Sequence, residues 1–164
     1  MRTRTMKVRE IMTSTPEAVT PDQTVSHAAR VMRDRDIGAV PVVEDLETRR
    51  LVGILTDRDI AIRHVAAGHH RDCPVGEHMT RRENVETFAT ARPGDHVELI
   101  VELMRRHAVR RIPIVDENDE HLVGIVAQAD IIRSYGEQDP EGVEEALAAI
   151  SEPTHLHPLA EATT

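Results

Sequence analysis

Thr56-Asp57-Arg58-Asp59 sets a hydroxyl and a carboxylate three residues apart. Such a pair either caps a helix start or presents oxygen atoms to something bound beside it. Asp130 repeats the acid, but Ala127 stands where the hydroxyl would be. Imidazoles and a thiol offer a second chemistry: His69, His70, Cys73 and His78 crowd one stretch, and His155-x-His157 lies in the tail. Zinc accepts such ligands, yet this spacing matches no closed structural motif, and a polar stretch carries histidine for solubility alone. No metal is therefore expected. Cys73 beside Arg71 is a lone thiol, which excludes an internal disulfide framework and suits a reducing compartment. The chain has no Gly-x-Ser-x-Gly elbow, phosphate-cradling glycine loop or His-Glu-x-x-His. Catalysis is not expected.

The elements that position these groups must come from 164 residues, room for one compact domain or two small ones sharing a core. Val, Ile, Leu and Phe make up about a quarter of them, enough for a charged chain to fold. No apolar run approaches the roughly 18 residues a bilayer span needs, and the first dozen residues are polar and basic. A cytoplasmic protein with no membrane partner is expected. A net charge of −9, no Trp, one Tyr and one Phe argue against nucleic acid, which needs cationic surface and stacking rings.

One unit occurs twice. Val8-Arg9-Glu10-Ile11-Met12-Thr13 answers Val75-Gly76-Glu77-His78-Met79-Thr80; Val25, Ala28, Ala29 and Met32 answer Val97, Ile100, Val101 and Met104; Leu51-Val52-Gly53-Ile54 answers Leu122-Val123-Gly124-Ile125. The offsets drift between 67 and 72, as they do when insertions fall in loops. Each copy predicts an extended lead-in carrying Val19 or Phe88, then an amphipathic helix from i, i+3, i+4, i+7 spacing. Asp95 and Glu98 read as the capping box of the second such helix. Two strands follow, 39–43 with 51–55 and 111–115 with 122–126. Pro41 and Pro113 mark the first of each pair as an edge strand or as one whose pairing stops at that point. A second helix starts near Asp57 and near Gln128, the former stopping at Gly68. The fold class is α/β, two β-α-β-β-α units packed face to face about a pseudo-twofold axis, with an additional helix near 140–150 from Val143, Leu147 and Ile150. The boundaries are 7–68, a linker 69–74, 75–136, and a C-terminal helix and tail 137–164.

These residues resemble a tandem pair of CBS (cystathionine-β-synthase) domains, the Bateman module, over about residues 7–135. The resemblance rests on Val8–Thr13, on Ile37-Gly38-Ala39-Val40-Pro41-Val42-Val43, on Leu51–Ile60, on Val109–Val115 and on Leu122–Ile131. It is greatest to stand-alone pairs of the hypoxic-response kind. The resemblance implies a non-catalytic sensor that binds adenine-containing ligands (AMP, ATP, NAD or S-adenosylmethionine) between its halves and needs no cofactor. Asp59 and Asp130 would then hold ribose hydroxyls and Thr56 a phosphate, while Val40, Pro41, Ile112 and Pro113 frame adenine. Arg58, Arg110 and Arg111 lie close enough in sequence to meet phosphate, to which guanidinium forks are suited. The family also implies a homodimer.

Two readings stay open at this point. Thr56 and Asp59 are equally explained by helix initiation, whereas Asp130 persists without a capping hydroxyl, which favours a ligand role for the acid. The alternative function is an adaptor that meets an unknown protein partner through the 140–150 helix, its ligand clefts vestigial.

Overall fold

The computed structural model describes residues 6–117 and 120–135, together with Glu144, Leu147, Ala148, Ile150 and Ser151, all five helical. The other residues of the expected 137–164 helix and tail, His155 and His157 among them, lie outside the described residues. The elements run α1 (Val8–Ile11), β1 (Thr13–Ser14), α2 (Val25–Arg35), β2 (Ala39–Val43), β3 (Leu51–Thr56) and α3 (Asp57–Asp59). A π-turn (Ile60–Val65) and a 3-10 turn (Val75–Glu77) lead to β4 (Thr80–Arg81), α4 (Val97–His107), β5 (Arg111–Val115), β6 (Leu122–Ala127) and α5 (Gln128–Tyr135).

Both hairpins form as the β-branched runs require. Pro41 pairs with Ile54 and Pro113 with Ile125, and both prolines sit on the outer strand of a three-stranded sheet, where a missing N–H breaks no second ladder. Their carbonyls accept from Val19 N–H at 3.1 Å and Ala91 N–H at 3.3 Å. Ala91, not Phe88, is therefore the counterpart of Val19. Phe88 packs where the sheets meet, with Val43, Leu51, Val115 and Leu122.

The third strand of each sheet comes from the other copy. β1 pairs with β6 and β4 with β3, both antiparallel, giving the orders β1-β6-β5 and β2-β3-β4. The lead-in helices follow their strands: Val8 and Ile11 join the core of Val97, Ile100, Met104 and Ile112, while Val75 and Met79 join that of Val19, Ala28, Val40 and Leu55. Gly53 and Gly124 permit this exchange. A Cβ on Gly53 would lie 2.6 Å from the Thr80 carbonyl oxygen, and one on Gly124 would lie 2.7 Å from Met12 Sδ.

The hairpin turns also bond across the halves, Leu51 N–H to the Glu120 carbonyl at 3.3 Å and Leu122 N–H to the Arg49 carbonyl at 2.9 Å. These reciprocal bonds express the twofold. Ile150 packs against the core that contains Ile100 and Ile131, so the last helix is docked on the body there.

Helix starts differ from expectation in one place. The residue before α4 is His96, with no side-chain cap, and Asp95 instead accepts from Arg92 N–H at 2.7 Å, closing the preceding turn. Helix ends match between copies: Asp36 and Ala108, each at φ 53°, take the left-handed conformation after α2 and α4. Glycine adopts that conformation without Cβ strain. Ala108→Gly is expected to raise stability by about 0.5–1 kcal/mol, read as a higher urea midpoint with an unchanged slope.

Candidate functional site

Where β3 passes into α3, Thr56 Oγ1 accepts from Asp59 N–H at 3.0 Å. Asp59 Oδ2 accepts in return from Thr56 N–H at 3.0 Å and from the Thr56 hydroxyl at 2.8 Å. Where β6 passes into α5, Asp130 Oδ2 accepts from Ala127 N–H at 2.8 Å. The two acids are thus built alike. Each holds one oxygen on the backbone three residues before it, and each presents Oδ1 3.6 Å from an arginine one turn later, Arg63 or Arg133. Their side chains are 13% and 15% exposed. The helix start accordingly accounts for Asp130 even without a hydroxyl at 127, so its persistence alone does not argue for a ligand. What remains in both copies is a carboxylate fixed through one oxygen, its second oxygen facing an arginine.

The other expected groups divide into three. Arg111, at the start of β5, reaches the first half: a Cβ on Gly38 would stand 2.8 Å from its Nη2 and 2.9 Å from Asp57 Oδ2, so the β2 entry, the α3 start and the β5 entry converge. Arg58 and Arg110 are exposed, the first with its N–H on Asp57 Oδ1 and the second with its carbonyl accepting from Gln128 N–H. Val40 and Ile112 are fully buried core residues and Pro41 and Pro113 are buried, so these side chains do not line a slot; any contact with a base falls to their backbone.

A cleft of about 750 Å³ opens elsewhere, at the hairpin turns, lined by Arg50, Arg82, Arg92, Glu117, Glu120 and His121 among others. Arg82 pairs with Glu120 at 3.0 Å, and its Nη1 is buried with no hydrogen-bond partner among the described residues. None of the ten expected ligand residues lines this cleft. Sequence reasoning missed it because its arginines and acids come from separate turns that only the exchanged strands bring together.

Of the histidines, His70 is exposed beside Asp72, whereas His78 is buried against His64, a residue the sequence did not single out. Burial, with His64 and His69 adding to it, holds the His78 pKa below the ordinary histidine range.

A family model for the CBS domain matches residues 8–64 and again 75–137. The chain belongs to the CBS domain family. This CBS pair is 39% identical to the CBS domain-containing protein YhcV of Bacillus subtilis (strain 168) over 144 residues, covering 88% of this chain and 94% of that one. The crystal structure of Hypoxic Response Protein I with two coordinated zinc ions is similar at TM-score 0.67 and 36% identity, covering 78% of this chain and 98% of that one. The CBS domain pair of protein MJ0100, in complex with 5′-methylthioadenosine and S-adenosyl-L-methionine, is similar at TM-score 0.69 and 28% identity, with coverages of 81% and 98%. No helix among the described residues is long and apolar enough to cross a membrane.

Proposed function

We propose that this CBS pair is a non-catalytic sensor of an adenine nucleotide or adenosyl compound, held by the carboxylates that open the second helix of each half. The observation that carries the reading is the matched pair of anchored acids, Asp59 and Asp130, each with one oxygen held by the backbone and the other 3.6 Å from an arginine, an exposed partner that vicinal ribose hydroxyls would share or displace. Arg111 at the junction of the halves supplies a fork for phosphate, or for a carboxylate such as that of S-adenosylmethionine. The adenosyl ligands of the MJ0100 pair support the class of ligand. Binding across two halves favours one relative arrangement of them, and a coupling of about 1–3 kcal/mol is enough for regulation. The protein acts in the cytoplasm as a homodimer, for which exposed Ile62 and Val65 on the π-turn and Ile132 on α5 supply apolar surface.

Isothermal calorimetry with AMP, ATP, NAD and S-adenosylmethionine tests this. One of the four is expected to bind with micromolar affinity, about −8 kcal/mol, and to raise the melting temperature; heats indistinguishable from dilution for all four would refute it. The adaptor reading loses ground at Ile150, which is already packed on the body and so is not free to anchor a partner.

A further inference from the structure

We propose that His64, Cys73 and His78 form a site for a zinc-type divalent cation that clamps the end of the first half to the segment leading into the second. The three residues come from the π-turn, the linker and the edge of the 3-10 turn, and their ligand atoms all lie within 4.8 Å of one another. His64 Nδ1 stands 3.2 Å from His78 Nε2. Two nitrogens bound tetrahedrally to zinc at about 2.05 Å stand about 3.3 Å apart, so the imidazoles already have ligand spacing. The thiol is half-buried, with its Sγ within 4.8 Å of a ring nitrogen of each imidazole. His69 stands next to the pair, its ring centroid 5.0 Å from that of His78. Two imidazoles and a thiolate are a donor set for zinc rather than for magnesium or calcium, which prefer oxygen.

The placement of these histidines is hard to explain by packing. By the repeat offsets, His78 answers Ile11, and His64 answers Tyr135, so the other copy has no imidazole at either position. Ile11 is buried as an ordinary core residue. His64 and His78 are only 4% and 3% exposed, while Ile62 and Val65 on the same turn are 50% and 66% exposed. The backbone there departs from an α-helix: Ala66 N–H bonds the Ala61 carbonyl at 3.0 Å and His69 N–H the His64 carbonyl at 3.1 Å, both five residues back. Such π-turns recur at functional sites because they re-aim a side chain. Here the turn buries an imidazole, a polar group that is costly to bury unless it has a partner or a ligand.

The test uses the full chain with any affinity tag removed, stripped with chelator, dialysed against zinc and assayed by elemental analysis. About one zinc per chain is expected to remain, with a raised melting temperature. The double variant His155→Ala/His157→Ala is expected to keep it, since the tail pair takes no part. Cys73→Ser, a nearly isosteric change at a half-buried position, is expected to bind at least about tenfold more weakly and to lose the thermal shift. Cobalt in place of zinc should give a thiolate charge-transfer band in the wild type and none in Cys73→Ser. Zinc below half stoichiometry in the wild type, loss of zinc only in the tail variant, or cobalt spectra without a thiolate band would each overturn the proposal.

Discussion

Gly53→Val is expected to cost about 3 kcal/mol and to lower the melting temperature by about 10 °C, because it separates β4 from β3. The obstacle to a Cβ is a backbone atom, the Thr80 carbonyl 2.6 Å away, which cannot rotate aside. Gly124→Val meets first the flexible Met12 thioether at 2.7 Å and then the Thr13 carbonyl at 3.2 Å, so its cost should be smaller, about 2 kcal/mol. Gly68→Ala is the control. Its φ of 72° is left-handed but nothing lies within 4 Å, leaving only about 1 kcal/mol of backbone strain. Urea denaturation ranks the three. Equal losses at all of them would mean that the glycines serve backbone conformation alone and that the exchanged strands are not tightly seated.

Asp59→Asn and Asp130→Asn are expected to separate capping from ligand binding. Each acid reaches back to the backbone three residues before it, and an asparagine carbonyl can still accept that N–H of Thr56 or Ala127, so only the charge at the helix start is lost and stability should fall by less than about 1 kcal/mol. The lost charge falls on the ribose contact. A charge-assisted bond contributes about 1.5–3 kcal/mol, so the variant at an occupied site should bind about ten- to a hundredfold more weakly. Loss of stability with unchanged affinity in both variants would leave the carboxylates as helix caps and nothing more. Of the two, Asp59 should matter more if phosphate is bound, since Thr56 is present only in the first copy.

The repeat, the four long strands and the α2 and α4 stripes were legible because burial imposes a period on side-chain type, and each period appears twice. The edge position of β2 and β5 was one of the two readings that Pro41 and Pro113 left open, and the structure realises it. The exchange of β1 and β4 was not legible: two-residue strands carry no alternation, and only the close approach at Gly53 and Gly124 betrays them. Asp95 misled because an acid before an apolar run caps a turn as readily as a helix. His64 was passed over because it stands apart in sequence from the His69–His78 stretch, and only the fold brings its ring against that of His78. The positions of Asp59 and Asp130 were readable from local sequence, whereas Arg111 beside Gly38 and Asp57 depends on how the halves face each other. The arginine-lined cleft depends on the same packing and was invisible for the same reason.

A crystal structure of the protein grown with the tightest of the four adenine compounds would show whether the anchored aspartates hold the ribose. A ribose is expected with both hydroxyls on Oδ1 of Asp59, of Asp130 or of both, close to Arg111. A compound seated instead among Arg50, Arg82 and Arg92, with both aspartates touching only their own backbone, would contradict that reading.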